Sequence, residues 1–124
     1  MEFKVEDRHE KYLKLIVCGV FNKNGLIHAI SETMNHPDYA HKHSYWDFTQ
    51  ATMSMSIYDL KEIVGIFRLY KPDTENFANR VAILISGELN NAILKIFIPM
   101  TKLLPFRFQV FTKEEDVMNF LLGK

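Results

Sequence analysis

Cysteine appears once in the 124 residues, as Cys18. A lone thiol closes no internal bridge, so no disulfide framework is expected, and six methionines beside it suit a reducing compartment. No apolar stretch approaches the roughly 18–20 residues that a membrane-spanning helix needs. The first seven residues mix charges of both signs, unlike a signal peptide, and the expected location is the cytoplasm. Net charge is missing too. Fifteen Lys/Arg cancel fifteen Asp/Glu, which leaves no basic field to draw in nucleic acid. Glycine is scarce, and no Gly-rich phosphate loop follows a strand. No serine stands in a Gly-x-Ser-x-Gly elbow. Cys18 lies mid-strand in apolar company, where a buried thiol is inert. These absences leave no expected catalytic residue, metal or cofactor.

Apolar residues make up 48% and charged residues 24% of the chain, ordinary globular values. A chain of this length buries roughly two-thirds of its unfolded surface and needs no disulfide or metal to fold. With no repeat, low-complexity tract or long linker, one domain over 1–124 is expected.

Periodicity sets out the elements. Glu2 to Asp7 alternates, with Phe3 and Val5 on one side, as in a half-exposed strand. After the charged turn Arg8 to Lys11, Tyr12 to Phe21 begins alternating and ends fully apolar, which predicts a central strand and an N-terminal hairpin. Asn22-Lys23-Asn24-Gly25 reads as a turn, followed by helical spacing from Leu26 to Met34 that His36-Pro37 closes. Tyr45, Trp46 and Phe48 form a short strand ending near Thr49. Ser56-Ile57-Tyr58-Asp59 has capping-box spacing ahead of a helical stripe, Leu60, Ile63, Val64 and Phe67, that stops at Pro72. Arg80 to Gly87 is a β-branched apolar run expected to be buried on both faces. A helix follows over about 88–104. Phe106 to Phe111 alternates and is read as a strand with four apolar residues on one face. Thr112-Lys113-Glu114-Glu115 is a second capping box opening a last helix through Leu121. The predicted fold class is α/β. An N-terminal β-hairpin precedes successive βα units, in a five-stranded, mostly parallel mixed sheet with about four helices.

Several residue patterns in this order carry a resemblance. They are His36-Pro37-Asp38-Tyr39 before the third strand, Tyr45-Trp46-Asp47-Phe48 within it, and Met55-Ser56-Ile57-Tyr58-Asp59-Leu60 opening a helix. Arg80-Val81-Ala82-Ile83-Leu84 follows as the buried strand, and Phe108-Gln109-Val110-Phe111 runs into the last helix. Across nearly its whole length the chain resembles the SpoIIAA-like branch of the STAS-type domains. The resemblance implies a non-enzymatic binding or regulatory module. Regulators of that group carry an Asp-Ser-Ser-Gly phosphorylation motif at a strand-to-helix turn. The corresponding stretch here, Asp47 to Ser56, lacks it, which weakens the case for a serine-phosphorylation switch. Some relatives of the branch are likened instead to lipid-transfer domains holding an apolar ligand.

Candidate site residues follow from the expected topology. In open parallel sheets ligands gather at the carboxyl ends of the strands, where helix N-termini point. That edge would collect Asn22 and Asn24, Asp47 and Thr49, Ser54 and Ser56, and Ser86, Gly87 and Glu88. Two readings stand side by side. These residues bind a ligand or partner, or Ser56 and Ser86 cap helices while Asp47 bonds neighbouring amides. Asp47 and Glu88 would act as a carboxylate pair only if folding joins them. His36, Asp38, His41 and His43 crowd one loop, but a polar solvated connector explains them better than a tetrahedral metal site.

The 88–104 segment carries an apolar excess. Ile93, Ile96, Phe97, Met100 and Leu104 make one stripe, Leu94, Ile98 and Leu103 make another, and Pro99 should kink the helix. Burial, a homodimer interface and a groove for a lipid-like ligand all fit such an excess, and Leu94, Phe97 and Ile98 are the candidates for the latter two. Lys95, Lys102, Arg107 and Lys113 flank the segment and face only Glu88, as an anionic lipid surface would favour or as an ordinary solvated face would show. The expected function is a cytoplasmic module acting through protein–protein contact, with an unknown protein or a second copy as partner. A carrier of a small apolar or lipid-like ligand and an enzyme of unfamiliar type are the alternatives.

Overall fold

A computed structural model describes residues 2–68, 79–86, 99 and 107–123. Its strands are β1 (Glu2–Glu6), β2 (Tyr12–Phe21), β3 (His43–Met53), β4 (Arg80–Leu84) and β5 (Arg107–Phe111). They form one sheet in the order β1-β2-β3-β4-β5. β1 is antiparallel to β2, with Glu2 opposite Cys18 and Glu6 opposite Lys14, and the other three pairings are parallel. The helices are α1 (Lys23–Met34), α2 (Ile57–Phe67) and α3 (Glu114–Leu122). The predicted mixed sheet is therefore present. Among the described residues there are three helices, and the expected helix over 88–104 lies, Pro99 apart, outside them.

Helix starts show which local signals hold. At α2 the Ser56 hydroxyl accepts the Asp59 N–H at 3.2 Å, and the Asp59 carboxylate accepts the Ser56 N–H at 3.1 Å. This is the reciprocal box its spacing predicts. The other two starts differ from expectation. Asn22 to Gly25 is not a free-standing turn: Asn22 caps α1, its side-chain oxygen accepting the Gly25 N–H at 2.8 Å, and the helix begins at Lys23. The second predicted box does not form. Lys113, not Thr112, is the N-cap of α3 and gives no side-chain cap bond. Glu114, Glu115 and Asp116 instead place negative charge in the first turn, against the helix dipole. α3 ends at Gly123, whose φ of 71° is the left-handed conformation that glycine adopts without penalty.

The sheet separates two apolar layers. On one side Leu13, Leu15, Val17 and Phe21 of β2, Trp46 and Phe48 of β3, and Val81 and Ile83 of β4 pack with Leu26, Ala29 and Ile30 of α1 and Leu60, Ile63 and Val64 of α2. On the other, Tyr45, Ala82 and Leu84 pack with Val117 and Leu121 of α3. Alternate residues of β4 thus enter opposite layers, so this strand is buried on both faces as expected. In β5, Phe108 and Val110 join the first layer while Phe111 turns to the second and packs on Phe120. A period of two cannot place Phe111 with Phe108 and Val110, which corrects the expectation of one four-residue apolar face.

Candidate functional site

The edge to which the sequence pointed is built by β2, β3, β4 and the first turns of α1 and α2. β3 is longer than expected. It runs past Thr49 to Met53, with Cys18, Gly19, Val20 and Phe21 opposite Gln50, Ala51, Thr52 and Met53. Asp47 and Thr49 are therefore mid-strand rather than at the strand end. Opposite Ile16 stands Asp47, and opposite Cys18 stands Gln50, so β3 carries one extra residue, a bulge, over this stretch. The Asp47 carboxylate closes it, accepting the Thr49 N–H at 2.9 Å and the Thr49 hydroxyl at 2.6 Å. Gly19, on the facing strand just beyond, has a φ of 83°, open to glycine and strained for other residues. Asp47 thus does what the structural reading expected: it satisfies an amide freed from the ladder.

β4 ends opposite the bulge, Leu84 beside Asp47. From just beyond, the exposed Ser86 reaches back, its hydroxyl donating to the Thr49 carbonyl at a long 3.4 Å. Folding therefore gathers Asp47, Thr49 and Ser86. Ser54 and Ser56 form a second group at the β3–α2 turn, where the Ser54 N–H donates to the Phe21 carbonyl at 2.9 Å. Both side chains are exposed, and the Ser56 hydroxyl is taken up by the helix cap. Gly87, Glu88, Leu94, Phe97 and Ile98 lie outside the described residues. So do the expected carboxylate pair with Asp47 and the surfaces assigned to a lipid-like ligand.

Two exposed side chains at the same edge escaped the sequence reading. Tyr58, in the first turn of α2, is 77% exposed, and Val20, near the end of β2, is 63% exposed. Tyr58 had a readable signal. It sits two residues before Leu60, off the stripe that Leu60, Ile63 and Val64 turn to the core. The Lys61 ammonium lies 5.9 Å from its ring centroid, and the ring otherwise faces outward.

The histidine-rich loop divides, with two of its four candidate donors converging and two apart. His36 and Asp38 do meet, joined by Asp7 from the hairpin turn. His36 accepts the Asp38 N–H at Nδ1, 3.1 Å, and its Nε2 lies 3.4 Å from Asp7. The local cation is Lys42, 3.2 Å from the Asp38 carboxylate and donating to the Asp7 carbonyl at 3.0 Å. His41 is exposed. His43 turns to β4, where its Nδ1 accepts the Arg80 N–H at 2.9 Å, and burial, with help from Arg80 and Lys11, holds its pKa below the usual value. The donors thus serve a turn and a strand junction.

At the other end of the chain's polar chemistry, the Tyr45 phenol donates to the Glu114 carboxylate at 2.9 Å. Burial first, then this bond and the negative charge of Glu114, push its pKa well up, so the phenol is neutral. Cys18 differs from expectation. It is half-buried, and with Ile16, Glu2, Phe3 and Lys4 it lines a shallow depression of about 430 Å³ on the α3 side of the sheet.

No family model and no curated protein matches this chain. Among solved structures, the anti-sigma factor antagonist SpoIIAA in its unphosphorylated form is similar over 99% of this chain and 100% of its own, at a TM-score of 0.55 and 15% identity. The chain has a SpoIIAA-like fold. The resemblance that its sequence motifs carried is thereby upheld at the level of architecture. From Asp47 to Ser56 the chain forms a bulge, the rest of β3 and the capped turn into α2. No helix among the described residues is long and apolar enough to cross a membrane.

Proposed function

We propose that this chain is a non-enzymatic cytoplasmic regulatory module that binds a protein partner through the carboxyl edge of its sheet, at the first turn of α2. The observation carrying this reading is Tyr58. It is a large aromatic side chain 77% exposed, held on a rigid, doubly capped helix start between exposed Ser56 and Lys61. Tyrosine on a rigid element is a favoured anchor in protein interfaces, because it contributes wide contact area for few rotatable bonds. The SpoIIAA-like fold supports the same reading, since one solved protein with this fold is an anti-sigma factor antagonist. The polar groups nearby serve the frame: Asp47 closes the bulge, Ser56 caps α2 and Ser86 ties to Thr49. Their occupation in structural bonds favours recognition by shape and apolar contact over chemistry at this edge.

A photo-crosslinking residue in place of exposed Lys61, beside the Tyr58 ring, tests the reading. In cell extract it should trap one discrete protein that the same probe at exposed Glu115 does not, and Tyr58→Ala should abolish capture while leaving thermal stability unchanged, as for any exposed side chain outside the core. Equal trapping from both positions, or capture indifferent to Tyr58→Ala, overturns it.

A further inference from the structure

Independently of the α2 surface, the far edge of the sheet offers a second one. β1 is the terminal strand, and among the described residues no strand pairs with its outer side. Such an edge is a row of unused N–H and C=O groups able to accept another strand. Its own sequence says which one. Glu2-Phe3-Lys4-Val5-Glu6 is pinned in its pleat, because Phe3 and Val5 pack on the main core and Phe3 stacks on Trp46 with ring centroids 6.0 Å apart. Glu2, Lys4 and Glu6 therefore share the other face, with Glu2 and Lys4 exposed.

Two such edges meeting antiparallel about a twofold axis must set even residues opposite even residues, or the apolar face of one copy would turn to the solvent side of the other. Centred on Lys4, the pairing sets lysine against lysine and Glu2 against Glu6. Every opposition is between like charges. Centred on Phe3 or on Val5, each Lys4 faces a glutamate of the second copy, Glu2 or Glu6 respectively, twice across the axis. Directly opposed unlike charges favour a pairing and like charges disfavour it. The strand is thus complementary to itself in the registers centred on Phe3 and Val5 and repelled in the one centred on Lys4.

We propose that β1 pairs antiparallel with β1 of a second copy of this chain, joining two sheets into one, with Lys4 set opposite glutamate across the twofold axis. The pairing is short and its ion pairs are exposed, so the dimer is weak, concentration-dependent and loosened by salt. Sedimentation velocity of the untagged full chain over a concentration series tests this, and should show reversible monomer–dimer exchange. Lys4→Glu makes all three outer positions acidic, and Glu2→Lys with Glu6→Lys makes them all basic. Each variant alone should weaken self-association by at least about tenfold, and mixing the two should restore a dimer of unlike chains. Melting temperatures close to wild type verify that both fold. Tyr58→Ala should leave the dimer untouched, which separates this surface from the one on α2. A wild-type chain monomeric at every concentration overturns the proposal and leaves the edge to an extended segment of another protein. A Lys4→Glu chain that dimerises as wild type does, or a mixture that does not associate, overturns it as well.

Discussion

The two faces of the sheet are held together in different ways. Under α1 and α2 lies an almost wholly apolar layer with Trp46 at 0% exposure in its middle, flanked by Phe48 and by Phe3 from the edge strand. Under α3 the layer that the described residues form is small, and polar ties supplement it: the Tyr45 phenol on Glu114, the Arg80 guanidinium donating to the Phe120 carbonyl at 2.8 Å, and the Tyr12 hydroxyl 3.9 Å from the Met118 sulfur. A nine-residue helix offers little apolar area to bury, and its two buried side chains, Val117 and Leu121, leave its orientation loosely set. Directional bonds at both of its ends supply what burial alone does not.

Substitutions in each layer should differ accordingly. Trp46→Ala should be the most damaging, costing about 3–5 kcal/mol in denaturant unfolding, because it removes the largest fully buried side chain and leaves a cavity. Tyr45→Phe keeps the ring and loses only the bond to Glu114. Since exposed Glu114 returns to water, the cost should be about 1–1.5 kcal/mol. If the two substitutions cost the same, the contrast between the layers is wrong.

The helix starts allow a finer comparison. Ser56→Ala at the capped start of α2 should cost about 1 kcal/mol, whereas Lys113→Ser at the uncapped start of α3 should gain about 0.5 kcal/mol. Calorimetry of the two variants checks the sign as well as the size.

The smallest effect concerns pH and the junction of β3 with β4. His43 has a folded pKa below its ordinary 6.5, so the folded chain binds this proton less readily than the unfolded one. Its contribution is complete above about pH 6.5 and is lost as the pH falls from there through the folded value. Melting temperature should decline over that window, and His43→Gln should flatten the decline. An unchanged slope in the variant would place the acid sensitivity elsewhere.

Sequence reasoning succeeded where a signal is local and repeated. The alternation of Phe3 and Val5, the apolar run of Arg80 to Leu84 and the Ser56–Asp59 box each state their own structure, because side-chain period and capping reach span only a few residues. It failed where two positions far apart in sequence decide the outcome. The sequence pattern stops β3 near Thr49 because Gln50 to Met53 has little strand character of its own, and pairing with Cys18 to Phe21 extends it. The second capping box failed by one residue, since the end of β5 fixes where α3 begins. Ser54, Ser56 and Ser86 lie just beyond the ends of β3 and β4, positions that the turn residues around them already mark in the sequence. The exposure of Tyr58 is legible too, since the helical stripe excludes it from the core.

Composition and periodicity by themselves determined the α/β class, the hairpin start, the order of most elements and the absence of a familiar catalytic motif. These follow from which residues avoid water and at what spacing. Only the tertiary structure decided that Asp47 closes a bulge, that His43 opens β3 and accepts a bond from β4, and that Cys18 is half-buried beside the edge strand. Such roles depend on strand register, and register is set by the packing of both sheet faces at once, not by any single stretch of chain.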